Sequence, residues 1–298
     1  MTLLEWIEAS AKQLTEAQVA FGHGTTNAFD EAAWLALHSL GLPLDTPLDG
    51  PDSQSNRLLA PAEYAQAATL LGARIATRKP AAYLTREAWL QGVAFYVDER
   101  AIVPRSLIAE LLVDGGIDYW LQESTHTVLD LCTGNGSLAV IAAKVYPDVV
   151  IDATDVSSDA LAVARINVEK HGLSQRITLL ASDGLLAVKG PYDLILCNPP
   201  YVNARSMSEL PAEYQAEPAM ALDGNQAGGI GDGMDFVRML LQGAATVMSQ
   251  NAVLVLEIGN ERAQFEAAFP SLEVIWLETS AGEDQVMLIT LEALKAQT

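Results

Sequence analysis

The sequence predicts a doubly wound α/β fold: a mostly parallel sheet of seven strands with helices on both faces, preceded by a small helical N-terminal domain. From residue 126 onward, short apolar runs alternate with helix-length segments, the pattern of successive strand-helix units. The first 80 residues instead carry apolar side chains at helical spacing. Between these regions, the segment from Glu87 to Val97 has the pattern of two short strands joined at Gln91-Gly92.

The pattern divides the chain into three units: a helical domain over residues 1–80, a β-hairpin linker over 81–104 and an α/β domain over 105–298. Strands are predicted at 127–131, 149–154, 177–181, 192–197, 252–257, 273–277 and 285–290. Helices are predicted at about 3–19, 31–38, 61–78, from 106, and at 138–145, 159–171 and 235–248, with a long loop after residue 197. Ligands of such sheets bind beyond the carboxyl ends of the strands, so functional residues are expected there.

Composition narrows the class of protein. The formal net charge of −21 argues against direct binding of nucleic acid, which usually requires a basic surface, and favours a basic protein partner. The two cysteines, Cys132 and Cys197, have no metal-ligand spacing, and no metal site is expected. We see neither a signal peptide nor a membrane-spanning run, which favours a cytoplasmic enzyme.

A glycine-containing turn follows the first strand of the predicted sheet. The run from Asp130 through Thr133 and Gly134 to Gly136 leads directly into a helix. Glycine permits a tight turn and close approach of a ligand, and the free amides at a helix start can bind it. We therefore expect these four residues to form a cofactor site. With Ala139, the same glycines also match the dinucleotide-binding pattern, so this motif alone leaves the cofactor open.

Acidic residues end the next two strands. Asp155 lies 19 residues after Gly136, where a carboxylate can accept hydrogen bonds from both hydroxyls of a ribose. This fits a nicotinamide dinucleotide and S-adenosylmethionine alike. Asp183 follows the third strand and can accept from an adenine amino group. Either aspartate can instead cap the helix after it.

The motif after the fourth strand separates these cofactors. Asn198, Pro199, Pro200 and Tyr201 follow that strand directly, and the two prolines remove two backbone donors. The Asn198 side-chain oxygen and the Pro199 carbonyl then offer two acceptors for a planar NH2 group, and Tyr201 can stack on its face. Such a site selects an amide or an exocyclic amine for methyl transfer from S-adenosylmethionine.

These two motifs together resemble those of the S-adenosylmethionine methyltransferases that modify planar nitrogens. Over nearly the whole chain, the sequence resembles the bacterial protein-glutamine methyltransferases, most closely the PrmB type that acts on the third large-subunit ribosomal protein. The segments 97–106 and 209–218 carry that closer resemblance. It implies that the helical N-terminal domain recognises the protein substrate.

The resemblance also implies roles for individual residues. Asn198, Pro199 and Tyr201 are expected to be catalytic, and the substrate-binding residues would be these three with Pro200, Phe95 and Arg105, beside Pro104. The cofactor would be held by Asp130, Thr133, Gly134, Gly136, Asp155, Asp183 and Asn198. The role of the glycine-rich loop 223–233 is left open.

Other functions fit parts of the sequence. Release factors are a second class of protein substrate within the same family resemblance. A nucleic-acid amino-methyltransferase also fits Asn198 to Tyr201, but the net charge opposes it. A nicotinamide oxidoreductase leaves that motif unexplained, and a non-catalytic scaffold leaves both motifs without a purpose.

Overall fold

A computed structural model describes residues 1–296. It contains helices α1 to α12, in chain order Leu3–Glu16, Ala28–Ser39, Pro61–Thr77, Ala81–Thr85, Ile108–Val113, Ser137–Val145, Ser158–Lys170, Ala204–Glu209, Ala212–Gln215, Asp235–Ala244, Arg262–Ala268 and Leu291–Lys295. Its strands β1 to β9 are Ala88–Leu90, Val93–Phe95, Thr127–Leu131, Val150–Asp155, Ile177–Ala181, Tyr192–Cys197, Met248–Glu257, Ile275–Thr279 and Gly282–Thr290. Two short 3₁₀ turns lie at Asp118–Trp120 and Ala219–Ala221.

The main sheet has seven strands in the order β5-β4-β3-β6-β7-β9-β8. Strands β3 to β7 pair in parallel, and β9 runs antiparallel to both of its neighbours. The winding reverses between β3 and β6, where Leu131 pairs with Cys197. This confirms the predicted doubly wound, mostly parallel sheet. Its switch point lies between the two strands that the glycine turn and the segment from Asn198 to Tyr201 follow.

Helices cover both faces of the central strands, and successive side chains of a strand point to opposite faces. In β6, Leu194 and Leu196 pack on the side of α5 and α6, whereas Ile195 and Cys197 pack on the side of α10 and α11. All four side chains are fully buried. A strand covered on both faces reads as a continuous apolar run, which is why the sequence located it so clearly.

The N-terminal helices form their own apolar core, centred on α1, α2 and α3. Thr2 caps α1 and completes a capping box with Glu5, which satisfies amides at the helix start. The predicted hairpin is present in β1 and β2, with both turn residues, Gln91 and Gly92, at positive φ. The boundaries at residues 80 and 104 stay predictions.

Tertiary contacts altered several predicted elements. The linker segment begins with α4, and the predicted long loop contains α8 and α9, of six and four residues, too short to show a helical period. The helix predicted to reach Met248 ends at Ala244. Strand β7 instead begins at Met248, because that residue pairs with Tyr192 of β6. Within residues 1–296, none of the helices is long and apolar enough to cross a membrane.

Candidate active site

A cavity of about 940 Å³ lies at the carboxyl end of the sheet. Segments that follow β3, β4, β5, β6 and β7 all contribute to its wall, as the topology requires. The N-terminal region also contributes, through Phe21, Gly22 and Thr26. The cavity therefore lies between the sheet and the N-terminal helices. The expected residues on its wall are Thr133, Gly134, Asp155, Asp183, Asn198, Pro199, Pro200, Tyr201, Pro104 and Arg105.

Asp130 lies behind this wall. Its side chain is fully buried and accepts hydrogen bonds from the Thr133 hydroxyl and, at 3.0 Å, from the Ala139 amide. Burial raises the pKa of this carboxyl to about 7, although the two hydrogen bonds lower it. Asp130 thus joins the glycine turn to the first turn of α6. Asp130 is absent from the cavity wall, and its expected role at the cofactor stays a prediction.

Gly136 also lies outside the cavity wall. Its φ is +81°, and a Cβ atom there would lie 3.2 Å from the Cβ of Ala164 and 3.3 Å from its Cα. Glycine is therefore required at this position by the turn and by the close packing of α7. Gly134 does line the cavity, and its amide donates a 2.9 Å hydrogen bond to Asp155.

Asp155 ends β4 with its carboxylate at the cavity wall. One oxygen accepts from the Gly134 amide and the other, at 2.8 Å, from the Ser157 amide. Burial raises the pKa of this carboxyl, and the backbone hydrogen bonds oppose the rise. Asp183 lines the same cavity beyond β5 and is exposed. The structure thus brings both predicted acidic residues to one side of the cavity.

Asn198 to Tyr201 form another part of the wall, directly beyond β6. The Tyr201 ring lies against Gly259, where a Cβ atom would come within 2.8 Å of its hydroxyl oxygen. Burial raises the pKa of this hydroxyl well above its ordinary value, and the nearby Glu257 adds to the rise. Tyr201 therefore stays neutral and is positioned by packing.

The glycine-rich loop 223–233 supports this motif from behind. The Gly224 amide donates to the Val202 carbonyl at 3.1 Å, and Gly233 packs against the backbone of Tyr201 and Asn203. A Cβ atom on Gly233 would lie 2.2 Å from the Tyr201 carbonyl oxygen. Close approach of two backbones explains why glycine occurs there.

Arg105 reaches the cavity from the segment directly after the linker. Its guanidinium donates two hydrogen bonds to Glu217, at 2.7 and 2.8 Å, and lies over the Tyr214 ring. Glu217 also accepts from the Val103 amide and lies 3.3 Å from the His23 ring nitrogen. Burial raises the pKa of the Glu217 carboxyl, but Arg105 and His23 together outweigh burial and hold the pKa at about 2. Glu217 therefore ties the linker to the segment after α9.

Buried charges also connect α9 to the N-terminal helices. Arg74 of α3 is fully buried and forms ion pairs with Glu31, at 2.7 Å, and with Glu213 of α9, at 3.4 Å. Arg78 forms a further pair with Glu213 at 3.3 Å. These carboxylates neutralise the guanidinium of Arg74, which would be costly to bury without a partner of opposite charge.

Phe95 is not at the cavity. Its side chain is fully buried in the core beside the sheet, with its ring edge-on to His171 at 5.5 Å. It is the last residue of β2 and points towards that core. Its side chain packs in the core, and the expected contact of Phe95 with substrate stays a prediction.

Two cavity residues were missed in the sequence. Glu257 ends β7 and Glu261 follows it, and both side chains are buried at the wall. The reasoning that selected Asp155, an acidic residue at the end of a parallel strand, applies equally to Glu257. Cys132 also lines the cavity, but a hydrogen bond with Cys197 and burial raise the pKa of its thiol, so it is a weak nucleophile.

Comparison with known proteins identifies the family. The Methyltransferase small domain family matches residues 113–220. A protein of Burkholderia pseudomallei named ribosomal protein uL3 glutamine methyltransferase is 49% identical over 99% of this chain and 96% of its own length. Proteins of the same name from Bordetella pertussis and Neisseria meningitidis are 49% and 47% identical, over 98% of this chain and 96% and 94% of their own lengths. The chain belongs to the family of these ribosomal protein uL3 glutamine methyltransferases.

Solved structures agree on the fold of this methyltransferase. The hMettl16 catalytic domain in complex with MAT2A 3′UTR hairpin 1 has a TM-score of 0.54 at 16% identity, covering 87% of this chain and 89% of that chain. The complex with hairpin 6 has a TM-score of 0.51 at 15% identity, covering 76% and 80%. Identities this low show the fold alone, the Rossmann-like methyltransferase sheet predicted from the sequence.

Proposed function

We propose that this protein transfers a methyl group from S-adenosylmethionine to the side-chain amide nitrogen of a glutamine in ribosomal protein uL3. The observation that carries the proposal is the placement of Asn198 to Tyr201 on the wall of the cavity that Asp155 and Gly134 also line. Near-full-length relatives named for this activity support the choice of substrate.

The residues on the sheet side of the cavity fit S-adenosylmethionine. The half-buried Asp155 carboxylate, whose pKa is raised by desolvation, would be stabilised by hydroxyl donors, and a ribose offers two. Thr133 and Gly134 would lie along the cofactor, and Asp183 at the adenine. When bound, the cofactor supplies an electrophilic methyl group on a sulfonium.

The motif after β6 would hold the target amide. The Asn198 side-chain oxygen and the Pro199 carbonyl accept its two N–H groups, while Pro200 and Tyr201 bound its flat faces. An amide nitrogen is a poor nucleophile because its lone pair is delocalised into the carbonyl. Hydrogen bonds to both protons orient the nitrogen, and the increase in rate comes from its proximity to the methyl group and its alignment with it.

Charge favours a basic protein as the partner. The net charge of −21 attracts a cationic protein and repels a polyanion. Phe21 and Thr26, in the loop between α1 and α2, border the cavity, which supports a contact of the N-terminal region with the substrate near its glutamine. A ribosomal protein substrate implies action in the cytoplasm.

A transfer assay tests this function. Purified enzyme with labelled S-adenosylmethionine receives unmethylated uL3, release factor and duplex DNA separately, and mass spectrometry locates the label. We expect label on a glutamine of uL3. Asn198→Ala should lower the rate by at least about 10²-fold, because it removes one of the two acceptors that orient the nitrogen.

The control is Asn251→Ala, an exposed asparagine near the opposite end of β7, which should keep full activity. Label on release factor alone would support the proposed reaction but show that the substrate is a release factor and not uL3. Label on DNA alone would refute the choice of a protein substrate, and the absence of label from all three would refute the proposed function.

A further inference from the structure

Glu257 is a buried acid at the cavity that the proposed mechanism does not yet use. It is the last residue of β7, and the residue before it, Leu256, pairs with Cys197, the residue before Asn198. The ends of these neighbouring parallel strands therefore bring Glu257 beside the amide-binding motif. Its side chain is 4% exposed and lies on the wall of the same cavity as Asn198 and Tyr201.

The carboxyl group of Glu257 is held in place. Its Oε2 atom accepts hydrogen bonds from the Ser106 hydroxyl and, at 3.0 Å, from the Leu107 amide. Both bonds come from the segment that begins α5, so they orient the carboxyl group from the linker side. Burial raises the pKa of this carboxyl to about 7, although Ser106 and Arg105 lower it. Glu257 can therefore change its protonation state near neutral pH.

Methylation of an amide proceeds through a positively charged amide group, which a nearby negative charge stabilises. As the methyl group moves, positive charge passes to the amide nitrogen, and that nitrogen must then lose a proton. A carboxylate held in a fixed position stabilises such charge without having to reorganise during the reaction. A positioned carboxylate can also take the proton.

We propose, on the basis of the proposed function, that the Glu257 carboxylate lies beside the target amide, stabilises the positive charge on its nitrogen and accepts the proton that it loses. The nitrogen–carbon bond forms while the carbon–sulfur bond breaks, and the electron pair of the latter stays on sulfur. One N–H bond then breaks, its electrons return to nitrogen, and the proton moves to Glu257 and later to solvent.

Other charged groups at this part of the cavity are occupied or unsuited. Burial and nearby carboxylates keep Tyr201 neutral. Arg105 is paired with Glu217, and Tyr214 lies under its guanidinium. Glu261 accepts hydrogen bonds from the Asn203 amide and side chain, the latter at 2.6 Å.

The test is the single-turnover methylation rate of uL3 as a function of pH, for wild type and Glu257→Gln. Since the carboxylate is the active form, the wild-type rate should fall as pH drops through about 7. Glu257→Gln keeps acceptors for Ser106 and Leu107 but removes the charge. We expect a rate lower by about 10²-fold at pH 8 and no fall at acid pH, with affinity for uL3 unchanged within about 2-fold.

Ser106→Ala provides a second variant. Without the hydroxyl that lowers the pKa of Glu257, the fall in rate should move to higher pH. Infrared spectroscopy of the free enzyme should show two protonated carboxyl groups that titrate near pH 7, those of Asp130 and Glu257. The Glu257 signal should be lost in Glu257→Gln, while the Asp130 signal remains. Glu261→Gln is the matched comparison and should keep the acid fall.

The outcomes separate the two proposals. If the rates of wild type and Glu257→Gln fall in the same way at acid pH, the titration belongs to another group, such as Asp130, and the inference is overturned. A Glu257→Gln variant as fast as wild type would also overturn it. If wild type leaves uL3 unmethylated, the proposed function fails, and this inference fails with it.

Discussion

Single residues at the glycine turn serve the cavity in two different ways. Gly134 lines the cavity, whereas Gly136 faces Ala164 on the far side of the turn. Asp130 is likewise behind the wall, where it accepts bonds from Thr133 and Ala139. The turn is therefore shaped by residues that need not touch a ligand, as positioning residues in preorganised sites commonly are.

Gly136→Ala tests this division of roles. The new Cβ atom would lie 3.2 Å from that of Ala164, at a φ of +81°, so strain and crowding add together. We expect a loss of about 1–3 kcal/mol in the free energy of unfolding, and weaker binding of S-adenosylmethionine because the turn shifts.

Gly172→Ala is the control, because its φ is +69° but a Cβ atom would meet no atom within 4 Å. Urea denaturation and calorimetric titration compare the two variants. Equal losses in both would show that packing against α7 contributes nothing.

At the level of elements, the glycine-rich loop 223–233 packs against the motif from Asn198 to Tyr201. Val202 and Asp223 pair as a short parallel bridge, and the Asn225 side chain donates to the Val202 carbonyl at 3.1 Å. Gly224 and Gly233 allow the backbones to approach. The loop therefore holds the motif at a fixed distance from β6.

Gly233→Ala should displace Tyr201, because a Cβ atom would lie 2.2 Å from its carbonyl oxygen. We expect the methylation rate to fall by about 10-fold or more, since small displacements of positioning groups are costly. Gly228→Ala, at a φ of +86° with open space around it, should retain most of the rate. Similar rates for the two variants would contradict a supporting role for the loop.

At the level of the whole molecule, buried charges join the N-terminal helices to the segment that covers the cavity. Arg74 pairs with Glu31 and Glu213, and its side chain also donates to the Ala20 carbonyl at 2.9 Å. Removal of Arg74 leaves the buried Glu31 without its cation, whereas Glu213 keeps its pair with Arg78. Burial already raises the pKa of the Glu31 carboxyl, against the opposing effect of Arg74.

Arg74→Ala should lower the free energy of unfolding by about 3–5 kcal/mol, the usual cost of removing one partner of a buried pair. Arg205→Ala removes the exposed pair with Glu209, whose side chains are 86% and 65% exposed, and should change stability by less than about 0.5 kcal/mol. Denaturant unfolding measures both. A loss below about 1 kcal/mol in Arg74→Ala would show that the buried network is dispensable.

The sequence alone determined the sheet and the residues at its strand ends. Strands β3, β5 and β6 were located to the residue. β3 and β6 are central and almost wholly buried, which favours apolar residues along them. β5 is an edge strand in which only Ile177 is buried, and its bounds followed from its place between two turn segments. Since parallel strands end at one edge, the placement of Asp155, Asp183 and Asn198 on one cavity followed from the strand assignment.

Only the tertiary structure decided which residues face the cavity and which support it from behind. Asp130, Gly136 and Phe95 lie in the interior because side-chain direction depends on packing against α6, α7 and the core, which a local pattern does not encode. The pairs of Arg105 with Glu217 and of Ser106 with Glu257 join residues 112 and 151 positions apart. Contacts at such separations exist only once the chain has folded, because no local periodicity brings those side chains together.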